Sequence, residues 1–356
     1  MRKTARSKTA RCSALFATGL LALSSLTACG NESAGSTPDT GGSTGTGEPV
    51  KIMVGGLNKI IYLPAVLTQQ LGYFKDEGLD VQLMEEPAGV EAHTQLLSGQ
   101  VQGVVGFYDH TLDLQAKGKA VESVVQFAEA PGEVEVVSDR EADAITSPRD
   151  FKGKKLGVTG IGSSTDFLTR YLAVKNGVKL SEFKRVAVGA GPTFTSALRK
   201  GTIDAGMTTD PTVASIIDKG EGQILLDMRT VEGTEEALGG SYPSSSLYMQ
   251  TEWVNSHKEI VQKLANAFVK TLKWMSSHSP SEIADKMPAD YAQGNGIVYA
   301  AAIQHALPMF TRDGVMPGDG PETVEKVLRA FDPDIANAHV DLSKTYTTEF
   351  VKNAAG

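Results

Sequence analysis

The sequence is poor in cysteine, with two in 356 residues, and poor in aromatic side chains, at 6%. Both cysteines, Cys12 and Cys29, fall before residue 30. The histidines at 93, 110, 257, 278, 305 and 339 are scattered, with no HExxH or other two-histidine metal spacing, so no zinc hydrolase site is expected. No GxSxG elbow is present either, and a pair such as Glu85-Glu86 reads as a solvated strand end rather than an acid–base couple. Positive charge is scarce: 34 Lys+Arg against 42 Asp+Glu leave a net charge of −8. That balance argues against nucleic acid or an anionic membrane surface as partner, since both select basic faces. With 41% hydrophobic residues the bulk of the chain is not disordered, and its length suits about two domains.

What positive charge there is lies unevenly. Arg2, Lys3, Arg6, Lys8 and Arg11 precede an apolar run from Ala14 to Leu26, and residues 1–28 hold no acid. This reads as a secretory signal, too short in its apolar part to span a bilayer permanently. It ends in Leu26-Thr27-Ala28-Cys29, which resembles the bacterial lipobox, where the cysteine takes a diacylglyceryl group and becomes the mature N-terminus. Residues 30–49 contain 15 Gly, Ser, Thr or Pro in 20 and no large apolar residue. They are expected to form a flexible tether of roughly 25 Å root-mean-square reach. Cys12 then leaves with the leader and Cys29 carries lipid, so the mature protein has no thiol for a disulfide, a nucleophile, zinc or an iron–sulfur cluster.

From residue 50 onward short strand-like runs alternate with amphipathic ones. Lys51–Val54, Asp80–Leu83, Val101–Val105 and Val121–Phe127 read as strands, with helices near 62–71, 89–98 and 109–117 between them. The pattern recurs. Gly99-Gln-Val-Gln-Gly aligns with Gly201-Thr-Ile-Asp-Ala, and Lys117-Gly118 with Lys219-Gly220, at an offset of 102. Lys51-Ile-Met-Val matches Lys155-Leu-Gly-Val at 104. These landmarks predict two lobes of like topology, each a mostly parallel sheet flanked by helices, in an α/β fold. A helical C-terminal part follows, opened by a capping box at Ser256–Glu259 and a second helix start at Ser279-Pro280-Ser281-Glu282. Glu133–Ser138 and Tyr242–Gln250 are the expected crossing segments. The division is therefore a leader 1–28, a lipidated Cys29 with tether 29–49, a first lobe 50–132 plus 247–356, and a second lobe 133–246.

Ligands of open α/β sheets sit beyond the carboxyl ends of the strands, which in two lobes face a shared cleft. Thr159-Gly-Ile-Gly-Ser-Ser-Thr is the sharpest candidate: Gly162 lets the backbone turn, and Ser163, Ser164 or Thr165 either cap the helix or offer N–H and hydroxyl groups to an anion. It is no nucleotide fingerprint, because the third glycine of GxGxxG and the P-loop Gly-Lys-Ser/Thr are both missing. Phe107 and Tyr108 are placed to stack on a planar ligand, and Asp109 to bind an amine or cap its helix. Thr209 and Asp210 occupy the equivalent turn of the second lobe, with the same ambiguity for Asp210. Asn58, Tyr62 and Tyr242 complete the candidate set.

The runs Leu71-Gly-Tyr-Phe-Lys-Asp-Glu-Gly-Leu-Asp-Val, Leu97-Ser-Gly-Gln-Val, Asp150-Phe-Lys-Gly-Lys-Lys-Leu-Gly-Val, Gly162-Ser-Ser-Thr and Ala197-Leu-Arg-Lys-Gly-Thr-Ile-Asp-Ala resemble an ABC-transporter substrate-binding lipoprotein of the nitrate/sulfonate/taurine/hydroxymethylpyrimidine family. The resemblance implies a type II periplasmic-binding fold, no catalysis, and no cofactor or metal. It also implies delivery of a small solute to a membrane permease driven by a cytoplasmic ATPase, from a monomer anchored on the outer face of the cell membrane. In sulfonate-binding members a segment similar to Gly162-Ser-Ser-Thr holds the anionic group, so a small anion is the first expectation. Asp166 stands where those members often carry histidine, which leaves a pyrimidine thiamine precursor or an aromatic acid as the alternative. A sensory binding protein or an enzyme on the same fold are the remaining readings.

Overall fold

The computed structural model describes residues 48–354. The leader, Cys29 and nearly all of the tether lie outside them. Val-rich runs form the first set of strands, because β-branched side chains suit a pleated surface covered on both faces. In chain order these are β1 (Val50–Val54), α1 (Leu63–Gln70), β2 (Val81–Glu85), α2 (Gly89–Leu97), β3 (Gly103–Phe107), α3 (Asp109–Ala116) and β4 (Val121–Gln126). The second set is β5 (Glu133–Ser138), β6 (Lys155–Val158), α4 (Ser164–Lys175), β7 (Lys184–Ala187), α5 (Pro192–Lys200), β8 (Ala205–Thr209), α6 (Thr212–Asp218) and β9 (Gly222–Met228). After β10 (Ser245–Gln250) come α7 (Lys258–Met275), α8 (Pro280–Ala284), α9 (Gly296–Ala306) and α10 (Gly320–Arg329).

The strands make two five-stranded sheets, ordered β2-β1-β3-β10-β4 and β7-β6-β8-β5-β9. The two orders are the same pattern, and in each the fourth strand runs antiparallel to its neighbours. That strand is the crossing one: β5 enters the second sheet directly after β4, and β10 returns to the first. The repeat seen at an offset of 102 is this topology, with Gly103 of β3 matching Ala205 of β8. Each lobe is thus a mostly parallel sheet flanked by helices.

Burial explains why β5 can be central. Val134 and Val136 pack with Phe194, Leu198, Ile203, Val213 and Ile216, while Val137 on the alternate face joins the main core. Glu133 and Glu135 share that second face and are buried as well. The apolar stripe of α7 buries Leu264, Phe268, Leu272 and Met275, with Phe268 against Phe74 (ring centroids 5.3 Å) and Phe127 (4.8 Å).

The helix starts differ from expectation at one point. Ser256 closes a short preceding helix, donating its hydroxyl to the Glu252 and Trp253 carbonyls, so the expected Ser256–Glu259 box does not form; α7 begins at Lys258 without a side-chain cap. The Ser279–Glu282 box is present. The C-terminal helices touch both lobes: α9 packs on α1's leading turn and on α6, and Arg170 of α4 donates to the Phe331 carbonyl (3.2 Å).

Candidate functional site

The carboxyl ends of β1, β3, β6 and β8 converge between the sheets. There Lys59, Ile61, Tyr62, Gly89, Glu133, Thr159, Ser163, Ser164, Thr165 and Thr209 line a cavity of about 10 Å³. That is room for about one water. The lobes are closed upon it, and direct bonds join them: the Ser164 hydroxyl donates to Asp109 Oδ1 (2.9 Å) and the Ile60 N–H to the Asp210 carbonyl (3.0 Å). A larger groove of about 740 Å³ runs along α8 and α9, lined by Pro288, Ile297 and Tyr299, and takes no residue from a strand end.

The turn before α4 is built from its own hydroxyls. Gly162 has φ +85°, which only glycine adopts without strain, and its N–H donates to Asp166 Oδ2 (3.0 Å). Ser163 occupies the cap position, yet its hydroxyl donates to the Gly160 carbonyl (2.7 Å) and no side chain caps the helix. The helix start is therefore uncapped by any side chain, and its positive dipole end stands beside the cavity that Ser163, Ser164 and Thr165 line. Thr165 accepts from the Thr159 N–H (2.9 Å), which fixes the loop. Asp166 does not oppose an anion as a free charge, because Arg185 of β7 pairs with both its oxygens (2.7 and 2.8 Å).

Asp109 is fully buried and acts as a tie. It accepts from Ser164 and from the Tyr242 hydroxyl (3.0 Å). Burial pushes its carboxyl up to about 7, against the pull of those two hydroxyls. Tyr62 lines the cavity, and Phe107 meets it edge-on (6.4 Å, 84°), so Phe107 supports the wall without forming it.

Several expected contacts lie outside the lining. Tyr108 is a core residue whose hydroxyl pairs with Thr345, because the first turn of α3 aims it at the C-terminal segment. Asp210 is held by Arg229 (3.0 Å) and by the Ala214 N–H (3.0 Å), which makes it a helix-start and ion-pair residue. Asn58 is half-buried and outside the lining set, as is Gly162. Thr209 lines the cavity while donating to the Gly132 carbonyl (3.0 Å).

Lys59, Ile61, Gly89 and Glu133 also line the cavity without having been singled out in the sequence, and two of them are ionisable. Lys59 gives two N–H groups to the Gly55 and Pro87 carbonyls (2.6 and 2.9 Å), and burial lowers it to about 8 despite the pull of Glu133, Glu85 and Glu91. Glu133 is buried, with no partner for Oε2, and burial together with nearby Asp109 raises its carboxyl well above the usual range. The Glu-Val-Glu-Val alternation inside a crossing strand was the available signal, since one face of a central strand must turn inward. Among the described residues no group of three or more His, Cys, Asp or Glu is placed to hold a metal ion.

A family model described as NMT1/THI5 like matches residues 61–283. The chain is 34% identical over 151 residues to a 4-amino-5-hydroxymethyl-2-methylpyrimidine phosphate synthase of Aspergillus parasiticus, a match covering 41% of each. The chain thus spans about two fifths of that relative's length. Among solved structures, a protein from Bordetella bronchiseptica RB50 is 38% identical with a TM-score of 0.82, over 86% of this chain and 96% of its own. The alkanesulfonate-binding protein SsuA from Xanthomonas axonopodis pv. citri, bound to MOPS, has the same fold at a TM-score of 0.66 and 16% identity, over 86% of this chain and 100% of its own.

Proposed function

The chain belongs to the NMT1/THI5-like family, and from that premise we propose that it is an extracytoplasmic solute-binding lipoprotein of an ABC importer. It captures one small polar solute between its lobes and presents the closed form to a permease driven by a cytoplasmic ATPase. Cys29 carries the lipid that holds it at the outer face of the membrane. The solute is bound and released without chemistry.

One observation carries the reading: polar groups from the strand ends of both sheets meet at a single closed cavity beside the uncapped start of α4. The N–H groups at the uncapped start of α4 suit the oxygens of an anionic or strongly accepting group, and the Ser163 and Ser164 hydroxyls join them by turning from the Gly160 carbonyl and from Asp109 when the lobes part. Because the cavity holds about 10 Å³, a solute enters only when the lobes part, and closure then buries it. The fold shared with an alkanesulfonate-binding protein supports a sulfonate-like solute. The fungal synthase relative, named for an aminopyrimidine phosphate, supports the same role for a pyrimidine thiamine precursor.

The test is a thermal-shift screen of the mature protein against sulfonates, nitrate, pyrimidines and aromatic acids, followed by calorimetry of each hit. A single saturable site for one solute is expected. Conversion of a bound candidate into a product would replace the reading with an enzymatic one.

A further inference from the structure

The cavity contains an acceptor that no described residue satisfies. Glu133 stands at the start of β5, opposite Thr209 of β8 and Met228 of β9, and it is only 2% exposed. Its Oε2 has no hydrogen-bond partner, and its side chain lines the cavity. A buried polar atom without a partner is costly, and the cost is recovered when a ligand supplies the missing donor.

The neighbouring groups do not supply it. Lys59, on the loop after β1, is committed to the Gly55 and Pro87 carbonyls, and no ion pair joins it to Glu133 among the described residues. Tyr62 lines the cavity beside Glu133, while Tyr242 stands outside the lining and donates to Asp109. Ser164 from α4 donates to Asp109, and Thr209 from β8 to the Gly132 carbonyl. The charged groups acting on Glu133 are Asp109 from α3, Lys59, and Glu135 on its own strand.

Resting on the reading of this cavity as the solute site, we propose that the solute presents an N–H donor to Glu133, either an ammonium group or the amino edge of a heterocycle, while its oxygens face the start of α4. Glu133 is thereby the residue that selects among solutes. The cleft has two chemically opposite ends: uncapped helix N–H groups for an acceptor, and an unpartnered carboxyl for a donor.

Matched pairs that differ only in the donor test this. Taurine is compared with ethanesulfonate, and 4-amino-5-hydroxymethyl-2-methylpyrimidine with its analogue lacking the 4-amino group, by calorimetry on the mature chain and on Glu133→Gln. The melting temperature of the variant is measured alongside to show that it folds. Within at least one pair the donor-bearing member is expected to bind at least about tenfold more tightly. In Glu133→Gln that preference shrinks; the taurine pair reports an ammonium and the pyrimidine pair an amino heterocycle. Equal binding of both members in every pair that binds, unchanged in Glu133→Gln, would overturn the proposal while leaving the solute site in place. Binding by no member of either pair, with a simple anion such as nitrate binding instead, would also overturn it. Failure of every compound, nitrate included, would remove the solute reading of the cavity itself.

Discussion

Ser163 and Ser164 show how much depends on where a hydroxyl points. In the sequence they are equally good helix caps and ligand contacts; in the fold one donates to Gly160 and the other to Asp109, and α4 stays uncapped. Replacing both with alanine is expected to weaken solute binding at least tenfold, about 1.4 kcal/mol, as read by calorimetry. Asp166 makes the same point about charge. Its repulsion of an anion is cancelled by Arg185, nineteen residues away in sequence but on the adjacent strand. Arg185→Ala leaves that buried carboxylate unpaired and is expected to cost about 2–4 kcal/mol in chemical denaturation.

The buried acids also set a pH dependence. Burial raises Asp109 from 3.8 to about 7 and Glu135 from 4.5 to about 8. Between those limits the folded protein holds protons that the unfolded chain has lost, so stability is highest at the acid end of the window and falls as pH rises through 7 to 8. Both oxygens of Glu135 lack partners. Glu135→Gln is therefore expected to flatten the fall between pH 5 and 8 and to raise the melting temperature at pH 8, when unfolding is followed at several pH values.

At the scale of elements, the chain announces most of its fold. The β-branched runs and the repeat at an offset of 102 contain the parallel strands, because a buried strand must be apolar along its length. Lys117-Gly118 and Lys219-Gly220 mark the ends of α3 and α6 for the same backbone reason, glycine at positive φ. What sequence reading misses is tertiary direction. Tyr108 follows the strand-end rule in sequence, yet the first turn of α3 sends it to Thr345. Ser256 matches a capping box but is already engaged by the preceding helix. Glu133 and Lys59 look like ordinary surface charges until two lobes close over them. The long helix α7 has a single-sided apolar stripe, and Phe268 at its centre touches Phe74 and Phe127. Phe268→Ala is expected to cost about 3–5 kcal/mol in denaturant titration, with a lowered midpoint and little change in slope.

As a whole molecule, the protein is two copies of one topology joined through exchanged antiparallel strands, β5 and β10. Each of those strands belongs to one sheet while its chain connection comes from the other, so the links between the lobes run through them. Direct bonds between the lobes hold the closed form, Ser164 to Asp109 and Ile60 to Asp210 among them. A solute that bridges Glu133 and the start of α4 would add bonds of its own to the same closure. The measurement that tests this most directly is small-angle X-ray scattering of the mature protein with and without a saturating solute found by the thermal screen. The radius of gyration is expected to fall on saturation, and to fall less in the Ser163→Ala, Ser164→Ala variant at the same solute concentration. An unchanged radius with solute demonstrably bound would contradict capture by closure of the lobes.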